Sequence, residues 1–156
     1  KEVKDNWEKL KSLEKNSTHD PENFFEDVPL SLPALSHALK VQKKASQLKF
    51  DWTNSEGILE KINEEARELW DAFESKEKFS VEEEFGDLLF SLVNLARKLD
   101  VDPENSLEVS INKFKKRVGE SVKIIKAEKL TDEQLTDEKL FEIWEQVKEL
   151  LKKNDA

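Results

Sequence analysis

The chain has 156 residues, of which 35 are Asp or Glu and 26 are Lys or Arg, so its formal net charge is −9 at pH 7. The acidic excess argues against nucleic acid polymers and anionic membranes as main partners, because Lys and Arg dominate the binding of phosphate groups. The lack of Cys excludes disulfides, thiolate metal sites and cysteine nucleophiles. With no signal segment or transmembrane-length apolar run in the sequence, we expect a cytoplasmic protein.

Residues 1–29 form the first predicted segment. Trp7, Leu10 and Leu13 recur at helical spacing and predict a short helix within residues 5–15, which a run of turn-forming residues then ends. The chain has no Met and begins with Lys. We therefore expect residues 1–29 to be a helix and linker from the end of a preceding domain, and residues 30–153 to be the main domain.

Helices are predicted throughout residues 30–153, since only 3 Gly and 4 Pro occur in the whole chain. Their start signals are Ser31 with Pro33 in the first turn, Asn54 or Ser55, a capping box at Ser80, Asp102 before a proline, and Thr136. The predicted helices span about residues 31–49, 55–75, 80–99, 102–127 and, after Thr136, a last helix that contains residues 140–151. The sequence thus predicts an all-α protein, an antiparallel helical bundle.

Two predicted helices carry pairs of acids at the border of their apolar faces. In the second helix Glu65 falls inside the apolar stripe that begins at Ile58, and Glu68 lies at its edge. In the third helix Glu84 and Asp87 occupy the flank of the stripe. In an antiparallel hairpin these two borders can face each other.

Carboxylates held this close repel one another unless a cation lies between them. Oxygen ligands without His or Cys favour Mg²⁺, with Mn²⁺ as the alternative, and Mg²⁺ commonly takes phosphate oxygens as further ligands. The competing interpretation is a solvated acidic face, because acids three residues apart are frequent in so acidic a chain. Gly86 favours a site, since glycine costs about 1 kcal/mol in a helix interior and lets a neighbouring backbone or a ligand approach closely.

Basic and aromatic residues follow at helical spacing. Lys113 and Arg117 predict either a phosphate clamp or a surface helix that balances the net charge. Trp144 and Lys148 indicate a base-stacking ring beside a phosphate contact, or a core tryptophan in the last helix.

In their order along the chain, these residues resemble a known family. The sequence is similar to the MazG nucleoside triphosphate pyrophosphohydrolases, most closely to the carboxy-terminal catalytic half of the two-domain members. The resemblance is carried by residues 64–68 (EEARE), 82–90 (EEEFGDLLF), 93–97 (VNLAR), 32–35, 40–45, 50–52, 112–117 and 143–148.

The resemblance implies an all-α bundle acting as a homodimer, which hydrolyses nucleoside triphosphates, including deoxynucleotides, between the α and β phosphates. It implies residues 30–153 as the catalytic domain and residues 1–29 as the tail of the preceding half. The metal ligands that it implies are Glu65, Glu68, Glu84 and Asp87. The nucleotide-contacting residues that it implies are Lys113, Arg117, Trp144 and Lys148, with Lys40 and Lys44 as weaker candidates.

Glu64 or Glu65 would position the attacking water, and Lys113 or Arg117 would stabilise charge on the leaving pyrophosphate. This makes Glu65, Glu84 and Lys113 the predicted catalytic residues. The sequence departs from the longer members after the basic pair, where residues 118–120 read VGE, and this departure predicts a shorter or looser end of the fourth helix. The alternative function is a non-catalytic helical module that dimerises or binds a partner protein, and a third possibility is specialised hydrolysis of dUTP or dCTP.

Overall fold

The computed structural model describes residues 24–48, 50–51, 55–76 and 78–154. These residues form five α-helices and one 3₁₀ helix, without a β-strand, and the all-α prediction is confirmed. The α-helices are α1 (Ala34–Gln47), α2 (Ser55–Ser75), α3 (Lys78–Lys98), α4 (Pro103–Ala127) and α5 (Asp137–Asn154), and the 3₁₀ helix is Asp132–Gln134. The helix predicted within residues 5–15 lies outside the described residues.

The chain divides into two compact units, residues 1–103 and residues 104–156. The first unit contains α1, α2 and α3, and the second contains nearly all of α4, the 3₁₀ helix and α5. The predicted boundary between residues 1–29 and 30–153 stays a prediction.

A tight connection turns α2 back onto α3 in the first unit. Lys76 adopts a positive φ of 62° directly after the end of α2, and its N–H bonds the carbonyl of Phe73. This left-handed conformation closes the helix, although a residue with a Cβ adopts it at a cost of about 1–2 kcal/mol. Because α3 begins two residues later, the two helices run antiparallel and pack along each other.

Helix α1 packs against α3 of the hairpin. The Gln42 amide nitrogen donates a 2.8 Å hydrogen bond to the carbonyl oxygen of Phe90, so a polar side chain joins the two helices. In the described part of this unit the buried residues are Val28, Gln42, Ile58, Glu65, Ala72 and Val93. Two of these six, Gln42 and Glu65, are polar, and buried polar side chains need hydrogen-bonding or charged partners.

The second unit is organised by α4 and α5. Ile143 and Val147 of α5 are 1% and 0% exposed. A capping box joins Thr131 and Gln134 ahead of α5, and the Thr136 hydroxyl accepts a 3.3 Å hydrogen bond from the Lys139 N–H at its first turn. Among the described helices, none is both long and apolar enough to cross a membrane.

Two helix starts and one helix end differ from the predictions. The predicted capping box at Ser80 is wrong, because α3 begins at Lys78 and Ser80 is already helical. Ser31 is not the cap of α1, whose N-cap is Pro33. The shorter end predicted for the fourth helix is also wrong, since α4 continues through Gly119 to Ala127.

Candidate metal centre

Three carboxylates of the α2–α3 hairpin lie together. One oxygen each from Glu65, Glu84 and Asp87 falls within 4.8 Å of the others. Glu65 is buried, Glu84 half-buried and Asp87 exposed, so the group opens from the hairpin interior to solvent. The hairpin produces this arrangement because Glu65 interrupts the apolar stripe of α2 while Glu84 and Asp87, three residues apart, share one side of α3.

The Glu84 carboxyl is surrounded by other acidic side chains. Burial raises the pKa of the Glu84 carboxyl above its ordinary value, and the neighbouring charges of Glu68, Glu65, Asp87 and Glu83 raise it further, in that order. The charged form of a carboxylate in such surroundings is stabilised when a cation binds its oxygens. Three oxygen donors without nitrogen or sulfur suit a hard divalent cation.

Glu68, the fourth predicted ligand, stands apart from this close group. It is exposed on α2, one turn beyond Glu65, and it acts on Glu84 through its charge. The structure thus brings together three of the four predicted acids, and Glu68 lies beside them.

Lys61 is the charged neighbour that the sequence did not single out. Its Nζ lies 2.7 Å from an oxygen of Glu64 and 2.6 Å from an oxygen of Glu65. Hydrogen bonds to Glu64 and then Glu65 raise the pKa of the Lys61 amine above its ordinary range. The signal was available, because Lys61 precedes Glu65 by one helical turn on α2.

Gly86 has no packing reason to be glycine among the described residues. A Cβ built at this position meets no atom within 4 Å. The expectation that a neighbouring backbone approaches Gly86 is therefore wrong for the described part of the chain. The approach of a ligand to this position stays a prediction.

The second unit holds four of the predicted nucleotide-contacting residues. The Arg117 guanidinium lies 5.5 Å from the centre of the Trp144 ring, and the Phe114 ring lies 5.6 Å from it. Trp144 of α5 therefore contacts side chains of α4, but it is half-buried and not part of the buried core, so the choice between a core tryptophan and a base-stacking ring stays open. Lys148 pairs with both carboxylate oxygens of Glu145, at 2.7 and 3.1 Å, and Lys113 is exposed on α4.

Lys40 and Lys44 lie on α1, on the side away from Gln42. Stepping about 100° per residue, they stand roughly 160–200° from Gln42, which faces α3. Lys44 pairs with Asp27 and lies 5.0 Å from the centre of the Phe24 ring. Lys40 is exposed. Both side chains thus lie on the face of α1 opposite α3.

In its described residues this is an all-α protein with a candidate metal site of three carboxylates. Residues 53–122 of the chain match the MazG nucleotide pyrophosphohydrolase domain. The chain is 46% identical over 142 residues to a Thermotoga maritima protein named nucleoside triphosphate pyrophosphohydrolase/pyrophosphatase MazG, which covers 91% of this chain and 54% of that protein. It is 37% identical over 151 residues to the Escherichia coli K12 nucleoside triphosphate pyrophosphohydrolase, covering 94% of this chain and 56% of that protein.

A Bacillus subtilis protein named uncharacterized protein YabN is 35% identical over 145 residues, which covers 92% of this chain and 29% of that protein. The chain is thus similar to the MazG domain over residues 53–122, and to the T. maritima and E. coli relatives over more than nine tenths of its own length. It spans about half the length of its T. maritima and E. coli relatives.

Proposed function

We propose that this protein hydrolyses nucleoside triphosphates between the α and β phosphates, releasing a nucleoside monophosphate and pyrophosphate. The observation that carries the proposal is the cluster of Glu65, Glu84 and Asp87, which lies within the residues that match the family domain. The names of the T. maritima and E. coli relatives support the same activity.

The residues of the cluster fit Mg²⁺, with Mn²⁺ as the alternative. Glu65, Glu84 and Asp87 would hold the ion, and Glu68 is the nearby acid that would serve as a fourth ligand. When bound, the ion supplies positive charge that offsets the charge of the triphosphate chain. The raised pKa of the Glu84 carboxyl supports this assignment, since burial and the neighbouring carboxylates disfavour its charged form and a bound cation would offset both effects.

The remaining roles follow from the chemistry of the bond that is cleaved. A water oxygen attacks the α phosphorus, the bond from that phosphorus to the α,β-bridging oxygen breaks, and pyrophosphate leaves with the bonding electrons. Glu64, paired with Lys61, and Glu65 are the carboxylates that would orient the water and accept its proton. Lys113 would stabilise the charge that grows on the leaving group.

We assign Arg117, Trp144 and Lys148 to contacts with the nucleotide, and Lys40 and Lys44 to weaker contacts. Arg117 is already held against Trp144, which supports it as a positioned guanidinium rather than a mobile one. A cytoplasmic location, and the absence of nucleic acid and membrane partners, stay predictions.

The proposed active form is a homodimer. Large apolar side chains on α2 and α3 are exposed, among them Trp70 at 60%, Phe73 at 63% and Phe85 at 53%. A surface of this kind supports association through the hairpin. The same observation favours the second candidate function, a non-catalytic helical module that dimerises or binds a partner protein.

The experiment that tests the proposal is a panel assay. The purified chain is incubated with the common ribo- and deoxyribonucleoside triphosphates and Mg²⁺, dUTP and dCTP included, and pyrophosphate is measured. We expect pyrophosphate with at least one substrate, and at least about a hundredfold loss in Glu84→Gln, since it removes a carboxylate that acts only through the bound cation. Glu82→Gln, on the exposed side of α3, is the matched control and should keep the activity.

Circular dichroism of the variants distinguishes lost chemistry from lost fold. Orthophosphate alone, or no product with any substrate, would refute the proposed activity and leave the binding module. Near-normal turnover in a folded Glu84→Gln variant would refute the metal assignment.

A further inference from the structure

A cavity lies between α1, α3 and the segment that follows α1, outside the acidic cluster. Its volume is about 490 Å³, and its walls include Gln42, Phe50, Asp51, Phe90 and Asn94. This volume falls within the range of about 300–1,000 Å³ that small-molecule sites occupy. The lining combines aromatic rings with a few amide groups, which is the composition of a site for a planar polar ligand.

Gln42 is the unusual member of this lining. The residue is 7% exposed, and its Oε1 is buried without a hydrogen-bond partner among the described residues. Its Nε2 donates to the carbonyl oxygen of Phe90, and this bond fixes which end of the amide is the acceptor. The reverse orientation would set two oxygens against each other. A buried acceptor left unpaired costs free energy, so Gln42 Oε1 is open to an N–H or O–H donor from beyond the described residues, such as a bound ligand.

The other walls suit a ring with polar edges. Phe50 is 79% exposed and Phe90 46% exposed, and both border the cavity, so their rings are available to a planar group. The Asn94 Oδ1 accepts hydrogen bonds from Arg97 at 3.1 and 2.7 Å. The Asn94 amide nitrogen is therefore the end that can donate.

The cavity and the acidic cluster follow one another along α3. Asp87, Phe90, Asn94 and Arg97 recur at helical spacing and stay within about 80° of one side of the helix. Asn94 lies about 10 Å beyond Asp87 along the helix axis, at about 1.5 Å per residue. A nucleotide presents its groups in the same sequence, with phosphates, then ribose, then base.

We propose that this cavity binds the nucleobase of the nucleotide, with Gln42 Oε1 accepting a hydrogen bond from a ring or exocyclic N–H and Phe50 stacking on the ring. The inference rests on the proposed function for the phosphate end of the ligand. It differs from base stacking on Trp144, whose ring is already in contact with Phe114 and Arg117.

The test measures binding, so that it does not depend on turnover. Non-hydrolysable α,β-imido analogues of the common nucleoside triphosphates, and inorganic triphosphate as the baseless reference, are titrated with Mg²⁺ into the wild type by calorimetry. We expect at least one analogue to bind more tightly than inorganic triphosphate. Gln42→Leu should weaken that analogue about tenfold, through the loss of a buried acceptor, and leave inorganic triphosphate unchanged.

Two further variants sharpen the result. Phe50→Ala, at a highly exposed ring, should weaken the same analogue by about tenfold through lost stacking without threatening the fold. Gln47→Leu is the control: it replaces an exposed glutamine of the same helix by the same residue, and it should leave the affinity for both ligands unchanged.

Three outcomes would overturn the inference. If no analogue binds more tightly than inorganic triphosphate, the cavity takes no base. If Gln42→Leu weakens both ligands equally, Gln42 has a structural role alone, and if it weakens neither, a buried water only satisfies Oε1. Pyrophosphate release by the wild type decides the proposed activity separately, so either idea can fail while the other stands.

Discussion

Asp51, which follows α1, is expected to stabilise the fold through ion pairs with the end of α3. Its carboxylate pairs with the Arg97 guanidinium through both oxygens and with the Lys98 amine at 2.8 Å. The hydrogen bond from Arg97, followed by that from Lys98, lowers the pKa of the Asp51 carboxyl from 3.8 to about 2, against the opposing effect of burial. Asp51→Asn imitates the protonated carboxyl and should therefore destabilise the protein.

The expected magnitude follows from this pKa. One pKa unit corresponds to about 1.4 kcal/mol, so the full difference between the two protonation states is about 2.5 kcal/mol. The Asp51 side chain is 22% exposed, and solvent and salt screen part of this energy. We expect Asp51→Asn to lower the free energy of unfolding by about 1–2 kcal/mol at pH 7, with about 2–8 °C lost in the thermal midpoint.

The pH dependence gives the sharper test. Because the folded pKa is lowered, the stabilisation by Asp51 is fully present above pH 3.8 and is lost as the pH falls from there toward about 2. The difference between the wild type and Asp51→Asn in urea unfolding should thus be constant near neutrality and shrink below about pH 4. Asp71→Asn, an exposed acid on α2, should stay within about 0.5 kcal/mol of the wild type. Equal stability of Asp51→Asn and the wild type at pH 7 would refute the reasoning.

The acidic cluster and the second unit give two further predictions. Lys61→Met removes the cation that competes for Glu65, so it should tighten Mg²⁺ binding several-fold in nucleotide-free calorimetry, whereas Lys78→Met, 89% exposed at its side chain, should not. Weaker Mg²⁺ binding in Lys61→Met would mean that the amine supports the site instead. Val147→Ala should lower the free energy of unfolding by about 2 kcal/mol because it leaves a cavity. The control Val109→Ala, at a site 57% exposed, should stay within about 0.5 kcal/mol of the wild type. Equal losses in the two variants would contradict the burial of Val147.

The helices were predictable where their end signals are local. Pro103 fixes the start of α4 because proline fits a first helical turn, and the end of α2 at Ser75 was also predicted. The start of α3 was missed because Lys76 makes the left-handed turn that glycine or asparagine usually makes. Asp100 and Lys129 end α3 and α4 in the same conformation. No glycine marks these three turns, yet the helix ends before them agree within one residue with the predicted ends at residues 75, 99 and 127.

The candidate site was predictable to the extent that it depends on helical periodicity. Glu65, Glu84 and Asp87 were found because an acid at the border of an apolar stripe is visible in the sequence. Gln42 was not, since its importance comes from its bond to Phe90, forty-eight residues away, and from an acceptor that this bond leaves unpaired. Periodicity cannot reveal such a pairing, because the packing of α1 against α3 determines it.

The two ends of the proposed site differ in the kind of recognition that they can provide. The cluster on the α2–α3 hairpin is made of acids, and in a chain of net charge −9 acids repel a polyphosphate unless a cation intervenes. The cavity between α1 and α3 presents amide groups and aromatic rings, together with an Arg97 whose charge is matched by Asp51. Its affinity for a ring therefore does not need the cation. Binding of the phosphates should depend on the metal, while discrimination among bases should depend on uncharged residues, namely Gln42 of α1 and Asn94, which lies about two helical turns beyond Asp87 along α3.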